Sequence, residues 1–111
     1  MEPLSALTFE PCDANTPQLS DIDIQTLLPQ CEGWQVVEEA GVNQLRKVFI
    51  TKNYTRSMAF TNSVAKLADL VDHHPQIIVE YGRVTVTWWS HNIKGLHKND
   101  FFMAVKTSEL F

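Results

Sequence analysis

The residues with the clearest potential for chemistry are the four histidines, which all lie in the last 40% or so of the chain. His73 and His74 are neighbours between an aspartate and a proline, and His91 and His97 follow them. Histidine titrates near neutral pH, so a group of histidines is typical of proton transfer. Their grouping with an aspartate and a proline at fixed separations favours an acid–base site over four unrelated surface histidines.

A predicted β-hairpin is the element that brings these histidines together. Residues 77–90 form two runs rich in β-branched and aromatic residues, and Gly82-Arg83 between them predicts a tight turn. Antiparallel pairing about this turn places Pro75 near Trp89 or Ser90. The hairpin therefore has an open end that carries polar residues from both of its strands.

The open end of this hairpin is the predicted site. His74 precedes the first strand and His91 follows the second, so the pairing makes them spatial neighbours. His73 and His74 are adjacent, and adjacent residues project in different directions from a regular backbone. They can line two walls of a pocket more easily than they can chelate one metal ion.

The remaining pattern predicts where the helices lie. Ser20 or Asp21 can cap a first helix, which Pro29 keeps short or distorts. Asn53 is a good N-cap for a long amphipathic helix that ends near Val71. A last helix starts in the region of residues 97–100, and His73 and His74 fall in the connection after the second helix.

Two strands precede the long helix and two follow it. The first pair is predicted at residues 34–39 and 44–51 about a turn at 40–43, with Val48, Phe49 and Ile50 available for burial. Each pair is a hairpin, so the order is α-β-β-α-β-β-α. The predicted fold class is α+β, with a four-stranded antiparallel sheet and helices packed on one face.

Length and charge limit the organisation and the partners. The 111 residues suit a single domain, which we assign to residues 20–111 after an irregular, proline-containing arm at residues 1–19. The net charge of −4 and the sparse basic residues make nucleic acid an unexpected partner. No run is long enough to span a membrane and no signal pattern begins the chain, so we expect a cytoplasmic protein. Cys12 and Cys31 have no CxxC spacing and are interpreted as free thiols, with a bridge between them as the alternative.

The hairpin and its flanks resemble the pterin-4a-carbinolamine dehydratases, and in particular their bacterial branch. The resemblance rests on the run Asp72-His73-His74-Pro75 together with later and earlier positions that keep the separations of the family. These positions are Tyr81, Val84, Ser90-His91, Gly95-Leu96 and Asp100, with Gly33-Trp34, Phe49, Lys52, Tyr54, Arg56 and Phe60 upstream. The combined motif is specific, whereas His-His-Pro alone is weak.

The resemblance implies an enzyme that converts a 4a-hydroxytetrahydropterin into the quinonoid dihydropterin and water. It implies catalytic roles for His73, His74 and His91. The substrate-binding residues it implies are Asp72, Pro75, Trp89, Ser90 and Asp100. Two positions depart from the animal members of the family. Asp69 occupies a position where glutamate is frequent, and His97 occupies a position where serine or threonine is frequent.

The resemblance also implies partners. Its members are dimers or tetramers, need no metal or other cofactor because the pterin is the substrate, and recycle tetrahydropterin beside an aromatic amino-acid hydroxylase. The alternative function is a protein-binding regulatory module of the same fold, since animal members also bind a transcription-factor domain. Nothing in this sequence marks such a surface.

Several residues keep two interpretations. Asp100 either takes part in the site or only stabilises the first turn of the last helix. His97 is better explained as a helix-start residue than as a catalyst. Trp88 and Trp89 point to opposite faces, so one of them belongs to the core. A zinc site built from the histidines and Asp100 is a rival interpretation that the adjacent pair fits poorly.

Overall fold

The computed structural model describes Glu10 and residues 12–111 of the chain, which form a four-stranded antiparallel sheet with helices on one face. The helices are α1 (Asp21–Leu27, extended by a 3₁₀ turn at Leu28–Gln30), α2 (Tyr54–Val71) and α3 (Lys98–Glu109). The strands are β1 (Gln35–Glu39), β2 (Val42–Ile50), β3 (Gln76–Glu80) and β4 (Arg83–Trp88), in the spatial order β1-β2-β4-β3. This confirms the predicted fold class and element order. Most of the predicted arm, residues 1–9 and 11, lies outside the described residues.

The helix boundaries follow from local capping. The Ser20 side chain accepts a hydrogen bond from the N–H of Asp23, and Asn53 accepts one from the N–H of Arg56. Helix α2 ends at Val71 because Asp72 turns into the left-handed region with φ of 51°. Among the described residues, no helix is both long and apolar enough to cross a bilayer.

The turn of the β3–β4 hairpin lies one residue earlier in the chain than predicted. Glu80 pairs with Arg83, so the turn is Tyr81-Gly82 and not Gly82-Arg83. The pairing continues to the other end of the hairpin, where Gln76 lies opposite Thr87. Pro75 therefore comes level with Trp88 and not with Trp89 or Ser90, but the histidines remain at the open end.

The sheet has a buried face and an open face. Leu45 and Phe49 of β2 are buried against the helices, as are Val84, Val86 and Trp88 of β4. On the opposite side Val48 is 44% exposed, Ile50 70% and Ile78 46%. The predicted burial of Val48 and Ile50 was wrong because strand side chains alternate between faces, and only Phe49 of that run points to the core.

Candidate active site

A buried carboxylate, that of Asp100, connects three separate elements of the fold. Its Oδ2 accepts hydrogen bonds from the N–H of His97 and the hydroxyl of Ser90, each at 2.9 Å. Its Oδ1 lies 2.7 Å from Nε2 of His73. Asp100 is fully buried in the first turn of α3, Ser90 follows β4, and His73 follows α2. One carboxylate thus caps helix α3 and also contacts a histidine of the predicted site, and the role of Asp100 in the site stays a prediction.

His97 begins helix α3 and shapes the local backbone around Asp100. Its Nδ1 accepts a hydrogen bond of 3.0 Å from the N–H of Asn99, while Asp100 binds the N–H of His97 in return. Burial lowers the pKa of His97, and the negative charge of Asp100 opposes that effect. Only a neutral imidazole can accept a hydrogen bond, so the lowered pKa preserves the cap. The prediction that His97 starts a helix is confirmed.

His73 is fixed between the carboxylate and an aromatic ring. An ionised carboxylate only accepts hydrogen bonds, so an ionised Asp100 selects the tautomer of His73 that carries its proton on Nε2. The imidazole stacks on Trp88 with ring centroids 5.4 Å apart. Trp88 is fully buried, and its Nε1 donates to the hydroxyl of Thr107 at 3.0 Å. The orientation of His73 is therefore set by the core of the protein.

His74 points in a different direction, as its adjacency to His73 predicts. Its Nε2 lies 2.9 Å from Oδ1 of Asp69 in the last turn of α2, and both side chains are exposed. Solvent screens such a pair much more than the buried contact between His73 and Asp100. The two histidines are thus each paired with a different carboxylate, one buried and one at the surface.

His91 lies beyond the end of β4 on the other side of the hairpin opening. Its ring is 4.4 Å from that of Trp89, which is half-buried and packs against the edge of the core. Trp88 is the tryptophan that belongs to the core, so the predicted division between the two is confirmed. Trp89 thus lies against His91, but the two rings are tilted and His91 is exposed, whereas His73 stacks on a fully buried ring.

The histidines share a cavity of about 300 Å³. The residues that line it are Cys12, Asp72, His73, His74, Ser90, His91, Asn92 and Asn99. Of the predicted site residues, Asp100 lies beneath this cavity, and Pro75 and Trp89 are not part of its lining. Ligand pockets begin at about this volume, so the cavity is large enough for a small organic molecule.

Three lining residues, Cys12, Asn92 and Asn99, were not predicted. The sequence contains one indication of Asn99, which is that it directly precedes the candidate residue Asp100. A larger cavity of about 470 Å³ lies at the opposite end of α2 and contains no histidine. The smaller cavity is the better candidate because it gathers the groups that can transfer protons.

The side-chain arrangement suits acid–base chemistry. Among residues 10 and 12–111, no three histidine, cysteine, aspartate or glutamate side chains form a group that could hold a metal ion. His73 and His74 instead contact separate carboxylates. The predicted independence from metal remains open to experiment.

Comparison with known proteins gives consistent matches. The family described as "Pterin 4 alpha carbinolamine dehydratase" matches residues 17–110. Two relatives are provisionally named pterin-4-alpha-carbinolamine dehydratase. The protein from Nitrosococcus oceani is 49% identical over 110 residues, which cover 99% of this chain and 97% of that one. The protein from Marinobacter nauticus is 47% identical over 111 residues, which cover both chains fully.

Two solved structures share the fold. The crystal structure of a transcriptional coactivator/pterin dehydratase from Brucella melitensis superposes with a TM-score of 0.78 at 29% identity, over 85% of this chain and 98% of that one. A pterin dehydratase-like RuBisCO assembly factor of the alpha-carboxysome superposes with a TM-score of 0.60 at 21% identity, over 71% of this chain and 89% of that one. The second likeness concerns the fold alone.

Proposed function

This chain belongs to the pterin 4 alpha carbinolamine dehydratase family, and from that premise we propose that it dehydrates a 4a-hydroxytetrahydropterin to the quinonoid dihydropterin. The observation that carries the proposal is the cavity shared by His73, His74 and His91. Two of these histidines are oriented by carboxylates, as proton-transferring imidazoles in enzymes usually are.

The reaction requires one acid and one base and no change of oxidation state. The bond between the 4a carbon and its hydroxyl oxygen breaks, and an acid protonates the departing oxygen so that it leaves as water. A base removes the proton from the neighbouring ring nitrogen, and the electron pair forms the new carbon–nitrogen double bond. Each assisted proton transfer contributes roughly 10²–10⁴-fold in rate.

The cavity can supply both groups and can also orient the substrate. His73 and His74 are the proposed acid–base pair, and His91 faces the same space from the other strand. Asp72 lines the cavity with a carboxylate, a group that can bind the amide-like edge of a pterin, and Ser90 adds a neutral polar group. No further cofactor enters this proposal, because the pterin is itself the substrate.

The physiological context that we propose is tetrahydropterin recycling beside an aromatic amino-acid hydroxylase. Such a hydroxylase produces the 4a-hydroxytetrahydropterin, so it can also generate the substrate for the assay. The support for this partner is membership of the family.

The direct test measures dehydration of freshly generated 4a-hydroxytetrahydropterin, with the uncatalysed rate subtracted. We expect the wild-type protein to accelerate dehydration, and His73→Ala and His74→Ala each to lower kcat at least tenfold, since each removes one proton-transferring group. Wild-type protein treated with a strong chelator should retain its activity. His97→Asn is the matched control, because asparagine also caps helices and that imidazole lies outside the proposed pair.

The outcomes of this assay separate the rival interpretations. Unchanged turnover in both single variants and in the double variant would exclude the assignment of the histidines. Loss of activity on chelation, restored by stoichiometric zinc, would favour a zinc site instead.

We further propose that the protein is a homodimer or a dimer of dimers, formed through strand-edge or helix contacts. The exposed apolar residues Val48, Ile50 and Ile78 lie together on the open face of the sheet, and monomeric proteins rarely leave such groups uncovered. One chain has a mass of 12.7 kDa, and light scattering at low micromolar concentration should give at least twice that mass. A monomeric mass at every concentration, with full activity, would contradict this assembly.

The second candidate function is a protein-binding module. The name of the Brucella melitensis relative joins a coactivator to a dehydratase, and this is the observation that favours a binding function. The two functions are separated by the histidine variants, which should lose dehydration and keep their oligomeric state if the cavity is enzymatic. A wild-type protein without dehydratase activity would leave binding as the better explanation.

A further inference from the structure

The segment made of Glu10 and residues 12–19, here called the strap, is tied to the loop and helix that carry the site. The Asn99 side chain accepts a hydrogen bond from the N–H of Glu10 at 2.8 Å and donates one to its carbonyl oxygen at 2.7 Å. Nδ2 of Asn92 donates to the carbonyl oxygen of Cys12 at 2.7 Å. These contacts join positions 80 and 89 residues apart, so they hold the strap in one place over the site.

The other end of the strap is anchored as well. Nε2 of Gln18 donates a hydrogen bond to the carbonyl oxygen of Ile93 at 2.8 Å. The backbone N–H of Leu19 donates one to the carbonyl oxygen of Leu96 at 2.9 Å. Gly95 makes this approach possible, because a Cβ there would lie 2.5 Å from Cδ of Gln18. The backbone after β4 is thus shaped to receive the strap.

The strap reaches the cavity of the histidines through its first residues. Cys12 lines that cavity together with both asparagines that hold the strap, Asn92 and Asn99. Asn99 is 2% exposed, and both of its side-chain bonds go to the backbone of Glu10. The family match covers residues 17–110, so Glu10 and Cys12 lie outside the segment that it includes.

We propose that the strap is a wall of the pterin-binding pocket and that Asn99 is the positioning residue that holds it there. The inference rests on the function proposed above. Pockets for small molecules enclose most of the ligand surface, and a wall contributes contact to the bound molecule whether or not it takes part in the reaction. Loss of the wall therefore weakens binding of substrate and transition state alike, which raises KM and leaves kcat nearly unchanged.

The first experiment is a kinetic comparison of Asn99→Ala, Asn92→Ala and Asn62→Ala with wild type, using 4a-hydroxytetrahydropterin. We expect KM to rise about tenfold in Asn99→Ala and less in Asn92→Ala, with kcat within about threefold of wild type, as for a lost uniform binding interaction. Asn62 is an exposed residue of α2 and provides the matched control. Asn92 is also exposed, so its variant should fold even if removal of the buried Asn99 amide does not permit folding.

The second experiment uses Cys12 as a reporter of the strap. Burial and the charge of Asp100 raise the pKa of Cys12, but this residue is only half-buried, so N-ethylmaleimide should still label it. The reagent should spare Cys31, which is 3% exposed and whose pKa is raised to about 12 by burial. Saturating 7,8-dihydrobiopterin, a stable pterin, should slow the labelling of wild-type Cys12 at least fivefold. Asn99→Ala should be labelled faster without the pterin and protected less by it.

The outcomes distinguish this inference from the function on which it rests. If wild-type protein dehydrates the substrate and the histidine variants do not, but the asparagine variants keep the wild-type KM, the strap is not a wall of the pocket. Pterin that fails to protect Cys12 in an active enzyme leads to the same conclusion. Wild-type protein that neither dehydrates the substrate nor protects Cys12 would overturn the proposed function itself.

Discussion

The Asp100→Asn variant should dehydrate 4a-hydroxytetrahydropterin about 10²-fold more slowly than wild type while keeping the overall fold. The substitution preserves the shape of the side chain but replaces one accepting oxygen by a donating NH₂ group. Three donors face that carboxylate, from His73, Ser90 and the backbone of His97. The amide oxygen can take the place of Oδ2 and accept from Ser90 and from the N–H of His97, so the NH₂ group faces His73. Nε2 of His73 then has to accept a hydrogen bond, and the imidazole loses the tautomer that the carboxylate selects.

The matched control is Asp69→Asn, which alters the carboxylate that faces His74. That pair is exposed, so water can replace the lost partner, and we expect less than a tenfold loss of kcat. Both rates are measured at a temperature where circular dichroism shows each variant to be folded, since a buried donor left unpaired costs about 1–3 kcal/mol of stability. Asp100→Asn with a kcat within threefold of wild type would show that Asp100 only caps helix α3.

The fold was predictable because its signals are local. Asn53 caps α2 from the adjacent position, Pro29 shortens α1, and each pair of strands is joined by a short turn. The turn lies at Tyr81-Gly82 and not at the predicted Gly82-Arg83, because a glycine fits either central position of a two-residue turn. Glu80 and Arg83 close this hairpin as an ion pair of 2.8 Å, and that cross-strand pair was the overlooked signal.

The site was predictable only in part, and the limit is one of distance along the chain. The histidines lie on the two sides of one hairpin, so a prediction of the hairpin was enough to bring His74 and His91 together. The contact of Asn99 with Glu10 spans 89 positions and follows no periodicity, and neither residue type is distinctive. The strap therefore reaches the site through tertiary packing, which a local sequence pattern does not predict.

Substitution of Trp88 should produce the largest loss of stability in the chain, and it should reach the site as well. We expect Trp88→Ala to lower the free energy of unfolding by about 3–5 kcal/mol, because it removes a fully buried indole and leaves a cavity. That loss is a large part of the free energy of unfolding of a typical domain, which is roughly 5–15 kcal/mol. His73 stacks on the same ring, so its imidazole loses the aromatic surface that helps to orient it.

The measurement is urea unfolding at a fixed protein concentration, which matters because assembly would add to the apparent stability. Trp88→Phe is the matched control, since it keeps an aromatic ring beside His73 and removes only part of the indole, including the Nε1 donor to Thr107. The loss of that hydrogen bond costs about 1 kcal/mol, because the hydroxyl of Thr107 still donates to the carbonyl oxygen of Met103. We therefore expect the order wild type, Trp88→Phe, Trp88→Ala in both stability and kcat. A Trp88→Ala variant within about 1 kcal/mol of wild type would contradict the view that one buried indole supports both the core and His73.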